Sequence, residues 1–184
     1  MISEALEFVR REVRDHLAVS DAEAQLESAR VLTEEGSEGL TITLINVEEE
    51  AALRNTPNMF VVDGLPVQRQ PSVFMNLYLL FAFDFPNYGT SLFNLSETIA
   101  LFQDRRIFTT ADDRTDNPFP ERAVQLAFDH HNMSFEALNN LWSIMGGTMF
   151  PCVIYKVRLV EIRRDVADET LREIDTIELD MSGI

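Results

Sequence analysis

Residues 72–85 read SVFMNLYLLFAFDF, with 11 apolar residues in 14. A strand with one wet face alternates apolar and polar residues, so a run this dense predicts a strand buried on both faces. Its surroundings agree. From Gln70 to Gln103 only Asp84 and Glu97 carry charge, in a chain that is 25% charged. Pro86-Asn87-Tyr88-Gly89 ends the run. Leu92, Leu95, Ile99 and Phe102 then recur at helical spacing, predicting a helix over about 90–104.

Toward the N-terminus, LTITLINVEEE (40–50) is a second strand. Thr41, Thr43, Ile45 and Val47 alternate there with Leu40, Ile42 and Leu44, and β-branched residues dominate. TEEGSEG (33–39) before it has two glycines and no apolar residue, as a turn should. AQLESARVL (24–32) fits helix or strand; strand is preferred, as hairpin partner of 40–50. Residues 2–17 form a helix, with Ile2, Leu6, Val9, Val13 and Leu17 on one stripe and Ala5, Phe8 and His16 beside it. Glu7 and Arg11 make an i,i+4 pair. A short strand is expected at Met59–Val62, with Asp63-Gly64 as a turn. Pro66 and Pro71 keep the next residues irregular or at a sheet edge.

Toward the C-terminus, TTADDRTDNPFP (109–120) is a polar loop and Arg122–Asp129 a strand. Ser134 caps a helix whose stripe is Phe135, Leu138, Leu141, Trp142 and Met145, and Gly146-Gly147 stops it. FPCVIYKVRLVEIRR (150–164) is the last strong strand. Cys152, Ile154, Lys156, Arg158 and Val160 point to one face, and Val153, Tyr155, Val157, Leu159 and Glu161 to the other. These elements predict an α/β (α+β) fold, a mixed, mostly antiparallel sheet packed with about three helices, over residues 1–164. Residues 165–184 form an acidic segment, either an edge strand or a partner-binding arm. Its Ile174, Ile177, Leu179 and Met181 would serve no purely solvating tail.

The 184 residues suit one domain. Fifteen basic against 31 acidic residues give −16, which opposes a nucleic-acid or anionic-membrane surface. Cys152 is the single cysteine and cannot form an internal disulfide. The charged N-terminus does not read as a signal peptide, and no apolar run reaches the ~20 residues of a membrane helix.

No catalytic constellation emerges, and no cofactor or metal is expected. His130 and His131 are adjacent on a strand, so they point apart and chelate poorly. Cys152 sits in an apolar strand, where a thiol is usually a small core hydrophobe. Asp112-Asp113-Arg114-Thr115-Asp116 spells a magnesium-diphosphate motif, but that chemistry needs one helix face, and these residues lie in a loop.

Four stretches together resemble a known family: MISEALEFVRREVRDHL (1–17), ITLINVEEEAALRN (42–55), FMNLYLLFAFDF with NYG (74–89), and MSFEALNNLWSIMGGTMFPCVIYKVRLVEI (133–162). They resemble the tail-cap, or tail-terminator, proteins of extracellular contractile injection systems, the antifeeding-prophage and virulence-cassette type of phage-tail-like particle. The likeness spans about 1–164 and leaves 109–120 and 165–184 aside. It implies a tail-terminator-like fold and a structural role: a homo-oligomeric, hexameric ring that ends tube and sheath polymerisation and anchors the last sheath layer. It further implies sheath and inner tube as partners, no catalytic residues, and assembly in the cytoplasm into a particle that can be released.

On that expectation, Tyr88, Phe93 and Phe119 are candidate anchors of the contact between subunits, and Ile174, Ile177, Leu179 and Met181 of a contact with sheath. The plainer alternative puts Phe93 in the core and packs Tyr88 and Phe119 within loops. Two other functions compete. One is an acidic interaction or inhibitor module that binds a basic partner. The other is a hydrolase using Cys152 or His130/His131.

Overall fold

The computed structural model describes residues 2–34, 38–50, 59–62, 65–68, 73–162 and 169–170. Helix α1 spans Ile2–Leu17. Strand β1 (Ala24–Leu26) and a 3₁₀ turn (Ala29–Thr33) follow. Next come β2 (Gly39–Glu49), β3 (Met59–Val62), β4 (Leu65–Gln68) and β5 (Val73–Asp84). Helix α2 is Tyr88–Asp104, followed by β6 (Ile107–Thr109), β7 (Gln125–His130), α3 (Phe135–Ile144), β8 (Cys152–Ile162) and β9 (Glu169–Thr170).

Six strands form the main sheet in the order β1-β2-β5-β8-β7-β6. Every pairing is antiparallel except β1 with β2. The expected mixed, mostly antiparallel sheet with three helices is therefore the fold. The dense apolar run, β5, lies between β2 and β8. Its Leu77, Leu79, Phe81 and Phe83 face α1 and α2 in the larger core. Leu80 and Ala82 face α3 and the 3₁₀ turn in the smaller one. Both-face burial thus holds from Leu79 to Phe83. It ends at Tyr78, which is only half-buried.

The larger core is aromatic. Phe102 of α2 stacks on Phe128 of β7 at 4.2 Å and 11°, and Phe81, Phe108 and Tyr155 pack around them edge-on or tilted. Rings in these offset and edge-to-face arrangements contribute beyond their buried area.

Several expectations need correction. Residues 24–32 are not one strand, and they form no hairpin with β2. Only Ala24–Leu26 is extended, and it runs parallel to β2. A parallel neighbour requires a crossover. The 3₁₀ turn begins it: the Ser28 side chain caps the turn by accepting from the Arg30 N–H, and Ala29 and Leu32 are buried on the α3 side. The alternation in β2 also fails beyond Leu44, where a bulge shifts the register. Leu44 pairs with Leu79, whereas Asn46 pairs with Tyr78 and Glu48 with Asn76. One extra residue thus moves Asn46 and Glu48 to the face that carries Tyr78.

Residues 65–68 are a strand rather than irregular. They lie between β3 and β9 in a separate three-stranded sheet. Pro66 pairs with Val61, but β9 pairs only with Val67 and Gln68, so the proline is spared a ladder bond on that side. Glu169–Thr170 supplies an edge strand inside the acidic segment. Ile174, Ile177, Leu179, Met181 and the Asp63-Gly64 turn lie outside the described residues.

Candidate functional site

Helix α2 is set by its start. Asn87 caps it, its side-chain oxygen accepting from the Gly89 N–H at 2.7 Å. The Ser91 hydroxyl accepts from the Phe85 N–H at 2.9 Å and pins the first turn beneath the end of β5. The buried face of α2 is Ser91, Asn94, Thr98, Leu101 and Phe102. Small polar residues therefore take the positions nearest the sheet in the first half of the helix. Tyr88, Leu92 and Phe93 are turned outward, with Tyr88 67% and Phe93 62% exposed. Phe93 is not a core residue.

Phe119, the third candidate anchor of the subunit contact, is 6% exposed. Its ring lies edge-on to Phe8 at 5.2 Å, inside the larger core. The loop that carries it folds down onto α1, so Phe119 is core and not an accessible anchor.

A second apolar patch lies on α3. Ser134 caps this helix by accepting from the Ala137 N–H at 3.2 Å. At the other end Gly146 and Gly147 take positive φ, and the Gly147 N–H returns to the Trp142 carbonyl at 2.8 Å. Trp142 is buried over Leu80, Ala82 and Ile154. Phe135, Ile144 and Met149 stand out in solvent, Phe135 at 92%. A groove of about 220 Å³ runs between Phe135, Leu138, Asn139, Trp142 and Met149. Sequence reading placed Phe135 on the buried stripe. Its position as the first helical residue was the available warning, because end residues often overshoot the surface the helix covers.

Beyond the reach of α3, the same sheet face is polar and internally paired. The Tyr78 hydroxyl donates to Glu48 at 2.8 Å, and this bond raises the phenol's pKa. Asn76 donates to Glu50 at 3.0 Å, and the chain's single lysine, Lys156, lies 3.7 Å from the same carboxylate. Arg158 and Arg106 flank Asp129 at 2.8 and 3.4 Å.

The motif-like acids of 112–116 are structural. Asp112 pairs with Arg105 at 2.5 Å and completes a capping box with Thr109. Asp113 accepts from the Phe119 N–H at 2.7 Å. Arg114 reaches Glu12 at 2.7 Å and Asp15 at 3.3 Å. These carboxylates are turned to separate partners and do not converge. Among the described residues no group of three or more His, Cys, Asp or Glu is placed to hold a metal ion. His131 packs on Tyr78 and His130 on Tyr155, on opposite faces of the sheet as expected. Burial pushes the Cys152 thiol up, away from the thiolate a nucleophile needs. Among the described residues no helix is long and apolar enough to cross a membrane.

The described surface carries two apolar patches, Tyr88, Leu92 and Phe93 on α2 and Phe135, Ile144 and Met149 on and after α3, in a chain of net charge −16. The model of the Pvc16 N-terminal domain matches residues 4–173. The chain belongs to the Pvc16 N-terminal domain family.

Two solved structures share the fold of this Pvc16 N-terminal domain. One is the sheath/tube terminator, in its extended state, of an extracellular contractile injection system (PVC). The TM-score is 0.61 at 16% identity, over 99% of this chain and 65% of that one. The other is the tube-terminating cap of the anti-feeding prophage, with a TM-score of 0.64 at 14% identity, over 97% of this chain and 59% of that one. The chain thus spans less than two thirds of either protein's length. Among curated proteins none matches the sequence.

Proposed function

We propose that this domain is a structural cap, a tail terminator of a contractile injection system. It forms a ring on the end of the tube and sheath, stops their growth and holds the last sheath layer. The observation that carries this reading is the family match over 4–173. The backbone likeness to two terminators over nearly the whole chain supports it. The role is non-catalytic: it depends on shape and on contacts with copies of itself, sheath and tube. A ring of six copies is the expected form, with Tyr88 and Phe93 at the contact between subunits.

The experiment is to tag the chain in particles and locate the tag by electron microscopy, alongside particles made without the chain. We expect the tag at one end of each particle, and tubes of uncontrolled length when the chain is missing. A tag spread along the tube or absent from particles, with the length distribution unchanged, overturns the reading.

A further inference from the structure

We propose that Lys156 forms an intramolecular amide with the side chain of Asn76, with Glu50 carrying the protons. Three residues meet on one atom. Asn76 Nδ2 donates to Oε2 of Glu50 at 3.0 Å, and Lys156 Nζ lies 3.7 Å from the same Oε2. Register brings them there. In the β5–β8 pairing Asn76 stands opposite Arg158 and Lys156 opposite Tyr78. Lys156 and Asn76 are therefore diagonal neighbours on one sheet face, a separation that a long side chain can span. Glu50 directly follows β2, and its N–H bonds to the Phe74 carbonyl at 2.8 Å, which ties it to β5.

Each residue type suits the chemistry. Of the 15 basic residues all but one are arginine, and the neighbouring ion pairs to Asp129 use Arg106 and Arg158. Only at position 156 does the chain use an amine. A neutral amine is a nucleophile, whereas a guanidinium stays protonated and does not attack a carbonyl. Asn76 is 3% exposed, so water is kept from competing for its amide carbon. Its Oδ1 has no hydrogen-bond partner among the described residues, whereas a buried asparagine with only a structural part normally has both ends satisfied. The amide is held at the nitrogen that would leave, by the acid that would protonate it.

The step balances. Glu50 takes a proton from the Lys156 ammonium, the freed Nζ attacks Asn76 Cγ, and the Nζ–Cγ bond forms. The Cγ–Nδ2 bond then breaks as Glu50 hands Nδ2 the two protons that Nζ has given up. Nδ2 departs as ammonium, and Glu50 ends as the carboxylate it began. No oxidant or further reactant is needed. The product ties β5 to β8, the two central strands of the main sheet, and closes a long loop, restricting the unfolded chain as a disulfide does.

The test is the intact mass of the purified chain, measured fresh and after a day at physiological temperature. We expect it to fall about 17 Da, one ammonia, below the mass of its sequence with or without Met1. Trypsin should then release one branched species joining residues 70–105 to 123–158, uncut at Lys156. Lys156→Arg keeps the charge beside Glu50, and Glu50→Gln keeps an acceptor for Asn76. Both stand at partly exposed positions, and melting curves check that they fold; each should show full mass. A parent at full mass throughout overturns the inference. So does the same loss in Lys156→Arg, which would place the reaction elsewhere in the chain, or in Glu50→Gln, which would remove Glu50 from it. None of these results bears on where the chain sits in a particle, so the cap reading stands or falls separately.

Discussion

The carboxylate of Glu12, in the middle of α1, accepts a 2.8 Å hydrogen bond from Nδ2 of Asn117, 105 residues further along the chain. The same Asn117 nitrogen also donates to the Phe8 carbonyl at 3.1 Å, and Glu12 is 4% exposed. Arg114 and Arg105 close on the carboxylate at 2.7 and 3.4 Å. Three groups from the loop and its approach thus converge on one buried acid, and they hold Phe119 down on Phe8. This explains why a polar, proline-containing loop lies folded against a helix.

Glu12→Ala should therefore destabilise the domain by about 2–3 kcal/mol, since it removes charge-assisted bonds and leaves the buried Asn117 amide only its bond to the Phe8 carbonyl, while both arginines keep access to water. Glu12→Gln should cost roughly half as much. Denaturant unfolding measures the loss, and hydrogen exchange should show the Phe119 amide exposed earlier than the β5 amides.

Gly39→Ala should be more severe for its size. Gly39 opens β2 at φ +120°, and an added Cβ would lie 2.3 Å from the Glu23 carbonyl oxygen, which is backbone and cannot step aside. The Leu40 N–H bonds to that same oxygen, at 2.6 Å. A loss of about 3 kcal/mol is expected, with the β1–β2 pairing broken first. Thermal melts and hydrogen exchange on residues 24–26 would check it.

Asp84, at the end of β5, has its carboxyl pKa raised by burial and then by the neighbouring charge of Glu38. A raised acid favours its neutral form in the folded state. Its destabilising effect is therefore complete above the folded value and disappears below the unfolded one, 3.8. Asp84→Asn should melt higher than the parent at pH 7, and the gap should close as the pH falls to about 3.5. A gap that widened toward acid would mean that Asp84 is stabilising as an anion.

Self-association should strengthen with salt. Screening weakens repulsion between chains of −16, while apolar contacts survive it. Light scattering from about 0.05 to 0.5 M salt should show rising mass. Falling mass would identify ionic bridges as the cement.

Local pattern decided much of this protein. The dense apolar run made β5 a doubly buried strand, because density of apolar residues reports burial without reference to any partner. Ser134 and Gly146-Gly147 bounded α3, because caps and positive φ are properties of a few adjacent residues. The scarcity of charge over 85–103, where only Glu97 is charged, marked the stretch that carries Tyr88 and Phe93. Tertiary structure decided what depends on residues far apart. It made β1 parallel to β2, a choice three extended residues cannot encode. It sank Phe119, whose burial depends on Arg114 and Asn117 of its own loop finding Glu12 on α1, about a hundred residues away. It left Phe135 in water, because helical periodicity says which residues share a face but not where the sheet beneath that face ends. Periodicity and capping are short-range and can be read along the chain; exposure is a relation between elements and exists only once they have packed.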